Sequence, residues 1–292
     1  MKGRGRAVAL GAGTVLNALA TGVGSAFALD VETTATVELD GSGRIEGAVA
    51  EQPDADTRLV ERCVELTVDR YSPDERVGGH VRTESEVPMA AGLKSSSAAA
   101  NATVLATLSA LGVDVGDGPA AVSRLDACRL GVAAARDAGV TVTGAFDDAS
   151  ASMLGGVTLT DNTADELRSR EERDWDALVW TPPERAYSAE ADVSRCERVA
   201  PMARLVADLA SEGRYAEAMT VNGLAFSAAL GFPTEPAIEA MPHAAGVSLS
   251  GTGPSVVAVG ERAALEPVAA AWDERDGTTR LTTTRTDGAR VL

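Results

Sequence analysis

Aromatic side chains are scarce in this sequence, at 3% of 292 residues, although 45% of the residues are hydrophobic. A core must therefore be assembled from alanine, valine and leucine. Small side chains gain less on burial, so many positions have to contribute. Histidine is nearly absent. His80 and His243 stand in no suggestive context, which leaves little material for an imidazole-held metal or a Ser-His-Asp triad. The three cysteines, Cys63, Cys128 and Cys196, are odd in number and far apart, with no C-x-x-C. That argues against a disulfide framework or a zinc site and for a reducing compartment. No basic cluster exceeds the opening "KGRGR" and the net charge is −17, which excludes nucleic acid as a partner. No later apolar run approaches the ~18 residues of a membrane span, so no membrane partner is expected. Lysine is the sharpest shortage: of 26 basic residues, only Lys2 and Lys94 are lysines.

The 43 acidic residues are scattered through periodic sequence rather than gathered into a tail. An acidic, lysine-poor, arginine-retaining chain is the composition expected of a protein adapted to a salt-rich cytoplasm. There a Debye length of about 3 Å at 1 M screens its self-repulsion. The N-terminus imitates a secretion signal, with "KGRGR", a mostly apolar stretch and "AFA" ending at Ala28. The stretch is broken by Thr14, Asn17, Thr21 and four glycines, so it lacks the unbroken run of ~7–15 residues that a signal needs. A folded N-terminal element and a cytoplasmic location follow.

Length alone points to about two domains. "RAVALGAG" reads as a buried strand running into a glycine turn, "TVLNALA" as a helical turn or loop, and "AFALDVETTATVEL" as a strand. Helical spacing covers 55–71, an Ala-rich helix 95–111, and another helix about 120–139. "VTVTGAFDDASASMLGGVTLTDN" gives strand, acidic loop, short helix and strand. The charged run "ADELRSREERDW", 164–175, is the best break, dividing the chain into 1–163 and 164–292. The second part reads β, α, α, α, β, β, α, β, with helices near 196–212, 214–230, 236–243 and 262–274 and a last strand at 278–285. The fold class is α+β.

Three loops carry candidate chemistry. In "AAGLKSSSAAANA", Gly92 frees the backbone and Ser95, Ser96 and Ser97 stand at a helix start. The unpaired N–H groups and positive dipole there attract anions, and Lys94 adds a compact charge suited to phosphate. Plain helix capping by serine is the alternative. A Walker loop is excluded, because Pro88 and Leu93 occupy its glycine positions. In "TGAFDDASAS", adjacent Asp147 and Asp148 suit a proton acceptor or a Mg²⁺ ligand, or else a helix cap with an exposed neighbour. "SLSGTGPSVVAV" bends between strands, either as a tight hairpin or to bring backbone close to a ligand.

The order and spacing of these loops resemble the GHMP kinase superfamily. "PMAAGLKSSSAAANA" matches its phosphate loop, "GAFDDA" its aspartate segment and "LSGTGPS" its C-terminal glycine motif. Lys94 in the loop, "VTVTGAFDDASAS" and "TVLNALATGVGSAFALD" resemble the archaeal shikimate kinases within it. The resemblance implies a two-domain fold, an N-terminal domain like the second domain of ribosomal protein S5 and a ferredoxin-like C-terminal domain. It implies ATP-dependent phosphorylation of the 3-hydroxyl of shikimate in the chorismate pathway, with ATP and Mg²⁺ as cofactors.

The implied nucleotide site is Pro88, Met89, Ala90, Ala91, Gly92, Leu93, Lys94, Ser95, Ser96, Ser97 and Ala98, with Gly251, Thr252 and Gly253. Ser96 and Asp137 are the implied Mg²⁺ ligands, Asp137 because it falls in register about ten residues before Asp147. Asp147 is the implied acceptor of the hydroxyl proton, and Arg6 aligns with a lysine that many relatives carry beside that aspartate. Lys94 is expected to touch a phosphate or to balance charge near Asp147. Asn17, Thr21, Thr143 and Asp147 are the expected substrate contacts, while no feature assigns a cation to the carboxylate of shikimate. The rival readings are homoserine kinase, whose members typically lack the aspartate, and a non-catalytic ligand sensor with eroded loops.

Overall fold

A computed structural model describes residues 3–73, 77–116, 118–186 and 191–292. Strand β1 (Gly3–Leu16) is buried without interruption from Ala7 onward, because both of its faces are covered. It pairs antiparallel with the 18-residue β2 (Val23–Asp40). The glycines of "LGAG" do not turn the chain, contrary to the sequence reading. A Cβ on Gly13 would lie 2.4 Å from the Phe27 ring across the ladder, so glycine there serves close packing within a strand. "TVLNALA" accordingly ends β1 and enters a short 3-10 turn, Ala18–Ala20, capped by Asn17 Oδ1 accepting from the Leu19 N–H.

β2 is long enough to serve two partners. Its later half pairs with β4 (Gly78–Ser85), and its start, Val23–Phe27, pairs with β5 (Val157–Asp161). β3 (Ile45–Val49) joins β4 in parallel through the crossover helix α1 (Arg58–Tyr71). The charged run 164–175, read as the best break in the chain, holds a strand: β6 (Glu166–Glu171) is hydrogen-bonded to β5. Its burial alternates, so the carboxylates and guanidinium groups that looked like a break are the wet face of a hairpin. β11 (Arg290–Val291) returns from the C-terminus to β1, completing a seven-stranded sheet.

On one face of that sheet lie α1, α2 (Ser95–Ala110), α3 (Arg124–Asp137) and α4 (Phe146–Leu154), around a core rich in alanine, valine and leucine. Twelve of the sixteen residues of α2 are buried, which its alanines permit by letting neighbours approach closely. The second sheet, order β10-β7-β9-β8, contains β7 (Asp176–Thr181), β8 (Gly246–Leu249), β9 (Val256–Gly260) and β10 (Thr278–Thr283). Helices α5 (Ala200–Ser211) and α6 (Tyr215–Leu230) pack between the two sheets, while α7 (Glu235–Ala240) and α8 (Arg262–Asp273) cover the far side of the second. The order read for the second half is the observed one from β7 to β10, while β6 before it and β11 after it were unforeseen. "VTVT", 140–143, forms no strand. It runs as irregular backbone between Gly139 (φ 70°) and Gly144 (φ 87°), with Val142 exposed. Cys63, Cys128 and Cys196 are all buried and unpaired.

Candidate active site

The three loops meet around a cavity of about 580 Å³. The loop before α2 is shaped by left-handed backbone at Ala90 (φ 54°), Gly92 (φ 77°) and Lys94 (φ 66°). Only glycine fits at 92, where a Cβ would lie 2.2 Å from the Ser250 carbonyl oxygen. That absence lets the β8–β9 turn press against the loop. Ser250 Oγ donates to Gly92 O at 2.8 Å, and the Ser255 N–H donates to Ala91 O at 3.3 Å. Hairpin and site are thus one feature.

No side chain caps α2, contrary to the capping alternative. The N–H groups of Ser95, Ser96 and Ser97 find no acceptor among the described residues. With Ser95 and Ser96 lining the cavity, the helix presents open donors and the positive end of its dipole there. Lys94 is buried and its Nζ lies 2.8 Å from Asp148 Oδ1. That contact answers why one lysine is kept: it carries a charge into an interior that holds two carboxylates.

Asp147 and Asp148 open α4, behind Ala145 in left-handed conformation (φ 51°). Asp147 is 5% exposed, and its Oδ1 accepts from Asn162 Nδ2 at 2.7 Å. Burial, then the charge of Asp148, pushes the carboxyl of Asp147 up to about 7, while Lys94 and Asn162 act in the opposite sense. A group titrating there suits proton transfer near neutrality. Asp147 fits only because β2 carries Gly24 beneath it: a Cβ on Gly24 would lie 2.4 Å from Asp147 Oδ2. Gly24→Ala should therefore displace the carboxylate. We expect a loss of more than about tenfold in kcat and about 1–3 kcal/mol of stability from overpacking, read by steady-state kinetics and thermal melts.

Of the residues the sequence pointed to, Met89, Ala90, Gly92, Lys94, Ser95, Ser96, Asn17, Thr143, Asp147, Gly251 and Thr252 line the cavity. Pro88, Ala91, Leu93, Ser97, Ala98 and Gly253 stand behind them and shape the loops. Asn17 is committed to structure, with Nδ2 donating to Gly251 O at 2.7 Å. Thr143 Oγ1 accepts from the Ala145 N–H at 3.3 Å. Thr21 does not line the cavity.

Two further expectations are corrected. Asp137 ends α3 outside the cavity, where Arg62 Nε donates to it at 2.8 Å, because the helix points that position at α1. Arg6 projects to solvent from β1, where alternation turns it away from the core. Sequence reasoning missed Gln52, Ser85 and Arg58, which line the far part of the cavity among Val49, Leu59, Val60, Val140 and Val142. It missed Asn162 as well. Only strand alternation near Ser85 could have flagged any of them.

For Mg²⁺ the fit is partial. The cation prefers a set of hard oxygens from one or two carboxylates and substrate phosphates. Ser96 offers one such oxygen beside the open helix terminus. Asp137 is engaged elsewhere, and no group of three metal-ligating side chains occurs among the described residues.

The model of the GHMP kinases N terminal domain matches residues 58–156, which hold the phosphate loop and the aspartate segment. A shikimate kinase of Halobacterium salinarum is 66% identical across 98% of this chain and 99% of its own length. The chain belongs to the shikimate kinase family of the GHMP kinases. A second shikimate kinase, from Methanosarcina mazei, is 48% identical across 92% of this chain and 89% of its own. The fold of this shikimate kinase family member is shared by homoserine kinase from Cytophaga hutchinsonii. That match has a TM-score of 0.74 at 17% identity, covering 100% of this chain and 98% of that one. Lactococcus lactis galactokinase, solved with galactose, matches with a TM-score of 0.73 at 13% identity, covering 99% and 95%. Among the described residues no helix is long and apolar enough to cross a membrane.

Proposed function

We propose that this chain transfers the γ-phosphoryl group of ATP to the 3-hydroxyl of shikimate, as a cytoplasmic enzyme of salt-rich conditions. The observation that carries the mechanism is one buried carboxyl, Asp147, poised near neutrality in the same cavity as Lys94 and the uncapped start of α2. In this reading the phosphates lie on the N–H groups of Ser95 to Ser97. The base lies among Val49, Leu59, Val60 and Val140, and shikimate lies beside Asp147 and Thr143. The hydroxyl oxygen attacks the γ-phosphorus as its proton passes to Asp147, and the bond to the β-phosphate oxygen breaks to release ADP. Positioning and charge neutralisation do most of the work in such transfers, so Asp147 orients the hydroxyl as much as it deprotonates it. Mg²⁺ would supply neutralisation of the phosphate charge, and Ser96 would be the protein oxygen offered to it. Residues 1–163 and 164–292 serve as the two lobes in this reading, although β6 and β11 lie in the first sheet.

Homoserine kinase is the rival within the superfamily, and Asp147 weighs against it. A coupled ADP-release assay in high KCl, with shikimate, homoserine and mevalonate offered separately, tests the reading. Turnover on shikimate alone is expected. Turnover on another alcohol keeps the kinase and removes the substrate assignment. ATP binding without turnover on any of the three favours a ligand sensor.

A further inference from the structure

Asn162 follows β5 and is 2% exposed. Its N–H donates to Gly22 O at 2.8 Å, carrying the β2–β5 ladder one residue past the Val23–Asp161 pair. From that anchored position the side chain spans to the start of α4. Nδ2 donates to Asp147 Oδ1 at 2.7 Å and to Thr143 Oγ1 at 3.4 Å. Oδ1 accepts from the Asp147 N–H at 3.1 Å and from Thr160 Oγ1 at 2.8 Å. These contacts use the full capacity of a primary amide, two donors and two acceptors. They also fix its orientation. Exchanging O and N would set acceptor against acceptor at Asp147 Oδ1 and donor against donor at the Asp147 N–H.

We infer that Asn162 is the positioning residue for the phosphoryl transfer, binding Asp147 by Oδ1 and by its backbone so that Oδ2 is left for the substrate hydroxyl. The inference rests on the reading of Asp147 as the proton acceptor. A buried carboxyl favours its neutral form, which cannot accept a proton, and a hydrogen-bond donor to the charged form counters that. Few other groups can do so. Lys94, from the start of α2, is 2.8 Å from Asp148, the like-charged neighbour of Asp147 on α4. Arg136 of α3 is held bidentately by Asp165, at 2.6 and 2.7 Å, and its Nη2 touches the Asn162 carbonyl at 3.5 Å. Asp161, at the end of β5, is held by Arg168 at 2.6 Å. Among the described residues, β1 and β2 turn no charged side chain to Asp147. Asn162 is thus the one side-chain donor to its carboxylate among the described residues, beside the backbone N–H of Asp148, and Arg136 with Asp165 braces that donor from behind.

Asn162→Asp tests this with little change of shape. It keeps the acceptors for the Asp147 N–H and for Thr160, and removes the donor to Oδ1. With shikimate, kcat at pH 7 should fall about 10²-fold or more while the KM for ATP stays within about twofold. The acid limb of the kcat profile should move up by about one pH unit or more, recovering part of the loss at pH 9. Asn162→Ser, whose hydroxyl is too short to reach Oδ1, should show the same displaced limb. A merely structural role would lower the melting temperature and leave the limb in place. The ¹³C carboxyl resonance of Asp147, assigned by its loss in Asp147→Asn, provides a readout that needs no turnover and should titrate at higher pH in both variants. Unmoved limbs and an unmoved resonance in folded variants overturn the inference. Wild-type enzyme inert toward shikimate would instead remove the substrate reading, and the resonance would still decide the role of Asn162.

Discussion

Replacing Asp147 by asparagine should cost about 10³-fold or more in kcat and leave the KM for ATP nearly unchanged. Loss of general base catalysis alone costs about 10²–10⁴-fold, and here the same carboxylate also orients the hydroxyl. In the proposed reading the phosphates lie on α2 and its preceding loop and the base among Val49, Leu59, Val60 and Val140, none of them at the start of α4, so binding of ATP should persist in a fluorescence or calorimetric titration. A loss in kcat below about tenfold would remove Asp147 from the chemistry.

The same substitution should stabilise the protein at high pH. In the folded chain the Asp147 carboxyl titrates at about 7, against 3.8 ordinarily, with burial as the first cause. Below pH 3.8 the group is protonated in both the folded and the unfolded chain and has no effect. Between 3.8 and about 7 the unfolded chain releases the proton while the folded chain keeps it, so stability declines as pH rises. Above about 7 the full penalty for holding the charge is present. Asp147→Asn removes that penalty, so its melting temperature should exceed that of the wild type by several degrees at pH 8 and by much less at pH 5. An activity lost together with a gain in stability is the pattern of a site held under electrostatic strain.

Lys94→Met should be the second severe change, lowering kcat by about 10²–10³-fold and destabilising the fold by about 3–5 kcal/mol. Removing one member of a buried ion pair strands the other, and Asp148 would then sit uncompensated beside Asp147. Two like charges in one site raise each other's affinity for a proton, so Asp147 would lose its basicity as well. Adding Asp148→Asn separates these effects. The double variant should regain most of the melting temperature, because the stranded charge is gone. It should recover only about tenfold in kcat, because the phosphates still lack their cation. Full recovery of kcat would reduce Lys94 to a counter-charge for Asp148, and no recovery of stability would show that the pair is not what Lys94 contributes.

Much of this site was legible in one dimension because its parts are local. A serine run ahead of an Ala-rich helix, a glycine two residues before the lysine, and an Asp-Asp pair opening a short helix all announce themselves by spacing. What escaped was long-range or used an ordinary residue for a special purpose. Asn162 sits in "TDNTADEL", indistinguishable from a turn asparagine until β5 is laid against β2. Gly24 reads as one of several breaks in an apolar stretch, while its purpose is the space that Asp147 occupies. Register misled at Asp137, because a position counted along the chain says nothing of the helix face on which it falls, and that face meets Arg62. The charged segment 164–175 read as a break because alternating carboxylates and guanidinium groups occur equally between domains and on the solvent face of a two-stranded hairpin. The strand β11 is two residues long and is recognisable only by its partner.

The near-absence of lysine has a practical sequel. Among the described residues the molecule carries one primary side-chain amine, and that amine is buried against Asp148 at the floor of the cavity. An acylating reagent applied to the native enzyme therefore reports on a single interior position, with Lys2 and the α-amino group as the remaining targets in the chain. The rate at which Lys94 becomes acylated, followed by intact-mass and peptide spectrometry, measures how often the ion pair opens. Slowing of that rate by nucleotide, measured against salt concentration, would chart the breathing of the cavity with no label, tag or engineered cysteine.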